Sequence, residues 1–233
     1  MKVAIMQPYF FPYIGYFQLI NSVDKFIIYD NVQYTRRGWI NRNRILNGNN
    51  DKVLTLPLKK AHQIDLINSR HLADSWEKDK IKILKLIENS YIKSPNFKTI
   101  FPIITSCLES PNNNLIDFIL DSLHLLLSYL RINTEIIKSS DVNIDHTLKS
   151  QDKIIAICEK LNATTYINAE GGQKLYNIND FNNKGIKLKF IKSLPIKYKQ
   201  FKNEFIPWLS IIDVLMFNKR QDIIPYLNKY TII

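Results

Sequence analysis

Lys2-Val3-Ala4-Ile5-Met6-Gln7-Pro8-Tyr9-Phe10-Phe11-Pro12-Tyr13-Ile14-Gly15-Tyr16 opens the chain, and its reading decides the fold. Lys2 to Met6 is an apolar strand that runs straight into Pro8 and Pro12. Each proline fixes φ and removes a backbone donor, so the segment after Met6 leaves the sheet ladder as a stiff loop of aromatic and amide groups. Gly15 permits close backbone packing at the start of a helix carried by Tyr16-Phe17-Gln18-Leu19-Ile20. Lys25-Phe26-Ile27-Ile28-Tyr29-Asp30 is the next apolar run, and it ends on a carboxylate. Strand, helix and strand make a parallel pair with a right-handed crossover, which brings Gln7 and Asp30 to one edge of the sheet. Ligands of open α/β sheets occupy the crevice beyond that edge, so Gln7 to Gly15 is a candidate floor for one. The plainer account is a structural proline-rich turn with core aromatics.

Working outward, Val32-Gln33-Tyr34 and Trp39-Ile40-Asn41-Arg42 flank Thr35-Arg36-Arg37-Gly38, and Lys52 to Pro57 follows the Asn47-Gly48 turn signal. This region reads as a β-hairpin or meander added to the sheet. From 75 to 131 the pattern is helical, in segments near 76–91, 96–108 and 115–130 separated by Ser94-Pro95 and Ser110-Pro111-Asn112. Alternation returns with a strand at 135–137, a helix at 150–161 and strands at 165–168 and 186–190, with Glu170-Gly171-Gly172 as a flexible turn between the last two. Two short helices, 208–217 and 221–227, close the chain. The expected fold is α/β: a Rossmann-like, mostly parallel sheet with a β-hairpin extension and an inserted helical segment. One domain over 1–233 is expected, with its α/β core in 1–60 and 132–205.

The chain has 233 residues, a net charge of +11 and 45% hydrophobic residues, ordinary globular values apart from the charge. That charge favours an anionic partner such as a nucleotide phosphate, a nucleic acid or a membrane surface without choosing among them. Cys107 and Cys158 fall in apolar helical patterns and read as buried thiols of a reducing compartment. No signal-peptide pattern precedes the first strand, and no apolar run reaches the roughly 18 residues of a membrane span, so a cytoplasmic protein is expected.

The densest polar cluster is Arg36, Arg37, Asn41, Arg42, Asn43 and Arg44, with Tyr34 and Trp39 beside it. Strand geometry puts Arg42 and Arg44 on one face and Asn41 and Asn43 on the other. The planar guanidinium fork suits phosphate or carboxylate, so Arg42 and Arg44 are candidate anion contacts. Lys149 precedes a helix start that Ser150 can cap, where a phosphate is attracted by the dipole. Asp213 is a lone carboxylate in the apolar run Leu209 to Met216; it reads as ion-paired with one of those arginines, as a loop cap, or as an acid or base of raised pKa. His62, His71, His124 and His146 are scattered, so no metal site is expected. No Gly-x-Gly-x-x-Gly, Gly-Lys-Ser or Gly-x-Ser-x-Gly motif occurs.

Ile5-Met6-Gln7-Pro8-Tyr9, Pro12-Tyr13-Ile14-Gly15-Tyr16, Asp24, Asp30-Asn31-Val32-Gln33, Asn41-Arg42-Asn43-Arg44, Ala163-Thr164-Thr165-Tyr166-Ile167, Gly171-Gly172 and Leu209-Ser210-Ile211-Ile212-Asp213 together resemble the WbqC-like family. That resemblance spans nearly the whole chain. It implies a place in bacterial surface-polysaccharide (O-antigen-type, lipopolysaccharide) biosynthesis and transfer of glycine or another acyl group to an amino-deoxy sugar. A weaker resemblance, to the opening of cytidylyltransferase-like nucleotide-binding folds, lacks the two histidines of that family: Tyr16 follows Gly15, and Tyr13 stands where the other is sought.

The leading expectation is therefore a cytoplasmic transferase acting on a nucleotide-linked amino sugar, with ATP or an aminoacyl-tRNA as the acyl source and other polysaccharide-biosynthesis enzymes as neighbours. Asp30 is the first candidate base, Gln7 an oxyanion donor with the backbone of Gly171 and Gly172, and Asp213 a further candidate acid or base. Substrate contacts are expected from Tyr9, Pro12, Gly15, Tyr16 and Gln33 near the first loop, from Arg42, Asn43 and Arg44, and from Lys149. Two other classes stand beside it: a basic nucleic-acid-binding module and a non-enzymatic scaffold of a glycan-assembly complex.

Overall fold

The computed structural model describes residues 1–62, 64–202 and 204–233. Its strands are β1 (Lys2–Met6), β2 (Lys25–Ile28), β3 (Arg42–Asn47), β4 (Asn50–Thr55), β5 (Glu135–Lys138), β6 (Thr165–Ala169), β7 (Lys187–Ser193) and β8 (Tyr230–Ile232). The helices are α1 (Ile14–Asn21), α2 (Trp76–Tyr91), α3 (Phe97–Leu108), α4 (Leu115–Leu130), α5 (Ser150–Lys160), α6 (Ile178–Asn182), α7 (Ile211–Phe217) and α8 (Arg220–Leu227).

Six strands form one sheet in the order β5-β2-β1-β6-β7-β8. Five of them are parallel, and β8 closes the edge antiparallel to β7. This is the Rossmann-like α/β arrangement expected from the sequence. The parallel strands follow the order 3-2-1-4-5 of a doubly wound sheet, so the winding reverses between β1 and β6. Central strands are buried on both faces, which is why β1 reads as a continuous apolar run rather than an alternating one. Val3 and Ile5 join a core layer with α5 and α6, whereas Ala4 joins the other layer with α1, α2–α4, α7, α8 and the hairpin.

Three local features differ from expectation. The hairpin β3–β4 is a separate two-stranded sheet rather than an extension of the main one. Its turn follows the Asn-Gly signal, with Gly48 at φ +62°. Glu170–Leu175 is a 3₁₀ helix, not a loose turn. Finally, β8 and α6 were not read from the sequence, because a three-residue strand and a single helical turn carry too short a pattern.

Asp213 is fully buried on α7 and pairs with no arginine. Its Oδ1 accepts from the Tyr91 hydroxyl at 2.8 Å, and its Oδ2 accepts from the Tyr198 hydroxyl and Gln200 Nε2, both at 2.6 Å. Tyr91 in turn accepts from the Leu46 backbone N–H at 2.9 Å, so one carboxylate ties α7 to α2, to the hairpin and to the 198–200 segment. Burial pushes the Asp213 carboxyl above its usual range, and the three hydrogen bonds oppose that shift only in part. Asp213→Asn confronts the Gln200 and tyrosine donors with an NH₂ group and is expected to lower stability by about 2–3 kcal/mol in urea unfolding. Because the folded state binds the Asp213 proton more tightly than the unfolded chain, the wild-type advantage over Asp213→Asn is largest below the ordinary carboxylate pKa. It shrinks as pH rises through the raised folded-state value.

Candidate active site

The loop from Gln7 to Tyr13 is held from two sides. Phe11 sits at φ +43°, a left-handed conformation that costs a non-glycine residue about 1–2 kcal/mol. Asn43 on β3 donates through Nδ2 to the carbonyls of Phe10 (3.1 Å) and Phe11 (2.9 Å). Ser210, the N-cap of α7, donates to the same Phe11 carbonyl at 2.7 Å. Phe10 N–H bonds the Ile40 carbonyl and Ile211 N–H the Pro12 carbonyl. The buried rings of Phe10 and Phe11, 4.5 Å apart, fill the core beneath.

Beyond the carboxyl ends of β1 and β6, where the winding reverses, lies a crevice in two lobes. The first, about 590 Å³, is lined by Gln7, Tyr9, Tyr29, Ser150, Asn168 and Gly172 among others. The second, about 300 Å³, is rimmed by Tyr13, Tyr16, Trp39, Arg44 and Trp208. Met6, Tyr9 and Ala169 border both. Helix starts from opposite faces of the sheet meet here, with Gly15 of α1 in the second lobe and Ser150 and Gln151 of α5 in the first. Among the described residues neither helix has a side-chain cap; in α1 the Tyr16 N–H bonds the Tyr13 carbonyl at 3.0 Å, which leaves the N–H groups ahead of it and the positive dipole end uncapped. Close approach fixes two glycines: a Cβ at Gly172 would lie 2.8 Å from the Asn168 amide, and one at Gly15 would lie 3.3 Å from the Tyr13 ring.

The chemistry of the lining is that of neutral donors and aromatic faces. Among the described residues neither lobe is lined by a carboxylate, an imidazole or an amine, and Arg44 is the one charged side chain in the lining. Burial pushes the phenols of Tyr9, Tyr13, Tyr16 and Tyr176 up, and that of Tyr29 to about 12 with some repulsion from Tyr176. At neutral pH these hydroxyls are protonated. Asn168 is fixed by its Nδ2 donating to the Tyr176 hydroxyl at 2.9 Å and its Oδ1 accepting from Ala169 N–H at 2.7 Å. Among the described residues no three His, Cys, Asp or Glu side chains come together to hold a metal ion.

Of the residues singled out from the sequence, Gln7, Tyr9, Gly171 and Gly172 line the first lobe, and Tyr9, Pro12, Gly15, Tyr16, Asn43 and Arg44 line the second. The Gln7 carbonyl accepts from the Tyr16 hydroxyl at 3.0 Å, while its half-buried side-chain amide has no hydrogen bond to a described residue. Arg44 reaches Asp51 at 3.3 Å and the Trp208 carbonyl at 3.4 Å. Asp30, Gln33, Arg42, Lys149 and Asp213 lie outside both linings. Asp30, 1% exposed, accepts from the Ser139 hydroxyl, the Ser140 N–H and hydroxyl, and Asn68 Nδ2. Gln33 bridges to Leu66, and Lys149 is the exposed N-cap of α5, displacing Ser150 from that position to the first helical residue at φ +48°. Arg42 donates to the carbonyls of Gly38 (2.9 Å) and Arg37 (2.7 Å) and lies over the Trp39 ring, so it shapes the loop that carries Trp39.

Sequence reasoning left Tyr29, Asn168, Tyr176 and Trp208 out of the candidate site. The rule that ligands gather at strand carboxyl ends reaches Tyr29 and Asn168, which follow or end β2 and β6. Nothing local marks Trp208, whose ring lies 5.0 Å from that of Tyr13, tilted by 58°, across a large sequence distance. Lys153 was missed too: it is 4% exposed, donates to the Asn31 carbonyl at 3.2 Å and lies over Tyr29. Burial pulls its pKa down, with Asp30 opposing.

A doubly wound, mostly parallel sheet with an aromatic crevice at its reversal point places the chain in the α/β class. Within that class the chain belongs to the WbqC-like protein family, whose family model matches residues 7–224. It is 30% identical over 231 residues, 97% of each chain, to "Uncharacterized protein Rv1507c" of Mycobacterium tuberculosis. No solved structure matches it. No helix among the described residues is long and apolar enough to cross a membrane.

The double hold on the Phe11 carbonyl makes a quantitative test. Asn43→Ala is expected to cost about 2 kcal/mol and Ser210→Ala about 1 kcal/mol in chemical denaturation. The double variant should depart from additivity by at least about 0.5 kcal/mol, since both side chains serve one carbonyl.

Proposed function

We propose that the protein is a transferase of bacterial surface-polysaccharide biosynthesis that acts in the cytoplasm on a nucleotide-linked amino sugar and passes an acyl group, glycyl or another aminoacyl, to the sugar amine. The observation that carries this reading is the two-lobed crevice at the winding reversal, aromatic in both lobes and with one uncapped helix start in each. Aromatic faces suit a base or a sugar ring. Uncapped helix starts suit a diphosphate, and Lys149 adds positive charge at one of them. Family membership supports the pathway.

In this reading the amine nitrogen attacks the acyl carbon, the bond from that carbon to the donor oxygen breaks, and the amine proton leaves with the departing oxygen. ATP, through an acyl adenylate, or an aminoacyl-tRNA supplies the donor. With no carboxylate or imidazole in the lining, rate comes from approximation and from donors to the developing oxyanion, namely the Gln7 amide and the Gly171-Gly172 backbone. Asp30 and Asp213 serve as positioning groups, one behind Tyr29 and one behind the hairpin and α7. Arg42 serves by holding the Trp39 loop.

A panel of nucleotide-linked amino sugars, ATP, glycine and tRNA in a thermal-melt assay tests the reading. A true ligand at a hundred times its Kd adds about 2.7 kcal/mol of stability. One amino-sugar nucleotide should raise the melting temperature, and both Arg44→Ala and Trp208→Ala should reduce that shift. Gln7→Ala should leave binding within about twofold while lowering acyl transfer by about tenfold or more. A shift with tRNA alone that salt abolishes would point instead to nucleic-acid binding.

A further inference from the structure

A second cavity, about 600 Å³, opens at the base of the hairpin, and Arg36, Lys59, Lys60 and Arg70 all contribute to its wall. Among the described residues no acidic side chain lines it. Lys59 pairs with Asp74 at 2.6 Å, but that carboxylate is almost wholly in solvent and outside the cavity. Arg70 is the unusual member. It is only 7% exposed, and among the described residues no carboxylate lies within ion-pair distance of it. One guanidinium nitrogen donates to the Lys59 carbonyl at 3.0 Å, the plane lies over the Tyr34 ring at 4.6 Å, and the buried Nε–H has no partner.

A guanidinium taken out of water without a counter-charge is costly, and an unpartnered buried donor adds to that cost. Arginines with this arrangement, lying over an aromatic face beside further cations, offer a planar fork of donors to two oxygens of a tetrahedral phosphate. We infer that this cavity is a phosphate-binding site, separate from the crevice, which takes the terminal phosphoryl group of a small phosphorylated ligand. Among the described residues Arg36 and Lys60 make no ion pair, whereas Arg44, on the crevice side of the hairpin, is paired with Asp51. Loop 35–39 links the two sites, since Arg36 borders this cavity and Trp39 borders the crevice.

Calorimetric titration with inorganic phosphate, pyrophosphate and AMP, with sodium chloride at matched ionic strength as the reference, tests the assignment on the intact protein. Saturable binding of these probes should weaken at least tenfold in Arg36→Ala/Lys60→Ala, a change confined to exposed side chains, and stay within twofold in Arg44→Ala. Arg70→Lys keeps the charge but loses the stacked plane, and should weaken binding severalfold while the melting temperature without ligand stays near wild type. Preference for AMP over both phosphate and pyrophosphate would identify a nucleotide as the source, and preference for either inorganic probe a free anion. The proposal fails if no probe binds saturably, if Arg36→Ala/Lys60→Ala binds as well as wild type, or if Arg44→Ala is weakened equally. It also fails if only long polynucleotides bind, with a steep salt dependence.

Discussion

The carbonyl of Phe11 is the point on which the site depends. A non-glycine residue in the left-handed region relaxes unless its surroundings over-determine it, and here two side chains from different parts of the chain do so. Asn43 belongs to the hairpin and Ser210 to the start of α7, so the loop cannot take its course until both have docked. Ser210 N–H bonds the Arg44 carbonyl, which closes the triangle between loop, hairpin and helix. Asp213, one turn along α7, then fixes that helix through Tyr91, Tyr198 and Gln200. Rigidity of the crevice floor is thus a long-range property, built from buried polar groups rather than from the two prolines alone.

Electrostatics follow the same division between structure and site. Buried carboxylates at Asp30 and Asp213 are surrounded by donors and hold elements together. The crevice itself presents protonated phenols, amides, two helix starts and Arg44. Such a surface recognises oxygen-rich ligands and developing negative charge, and it offers no obvious proton acceptor. A reaction in which substrate and leaving group exchange the proton between themselves suits it better than one that needs a strong protein base.

Much of the scaffold was legible because its signals are local. The bounds of β1, α2 and α4 match their apolar patterns, and the proline breaks between helices fall where the chain turns. The alternation of Arg42 and Arg44 against Asn41 and Asn43 also holds, since both asparagines are buried and both arginines are half-exposed. What could not be read are the partners. A carboxylate at the end of β2 looks like a free base until Ser139 and Ser140 arrive from more than a hundred residues away to occupy it. Arg42 looks like an anion contact until its fork closes on the carbonyls of Arg37 and Gly38. Side-chain type and spacing report what a residue can bond, whereas tertiary contacts decide which of those bonds are already made.

The same distinction governs the positive charge. A surplus of +11 produces an attractive field for any anion and accelerates encounter, but a field of that kind does not choose a ligand. Some of the lysine lies on exposed helix faces, as in the Lys82–Asp79 pair, where solvent screens it and the pair is worth little. Among the described residues four cations are held in fixed geometry against aromatic rings: Arg42 over Trp39, Arg70 over Tyr34, Lys153 over Tyr29 and Arg220 over Tyr129. Of these, Arg42 donates to two carbonyls of its own loop, and Lys153 donates to the Asn31 carbonyl. Arg70 alone keeps a buried donor without a partner, so the general basicity of the chain becomes specific at the base of the hairpin.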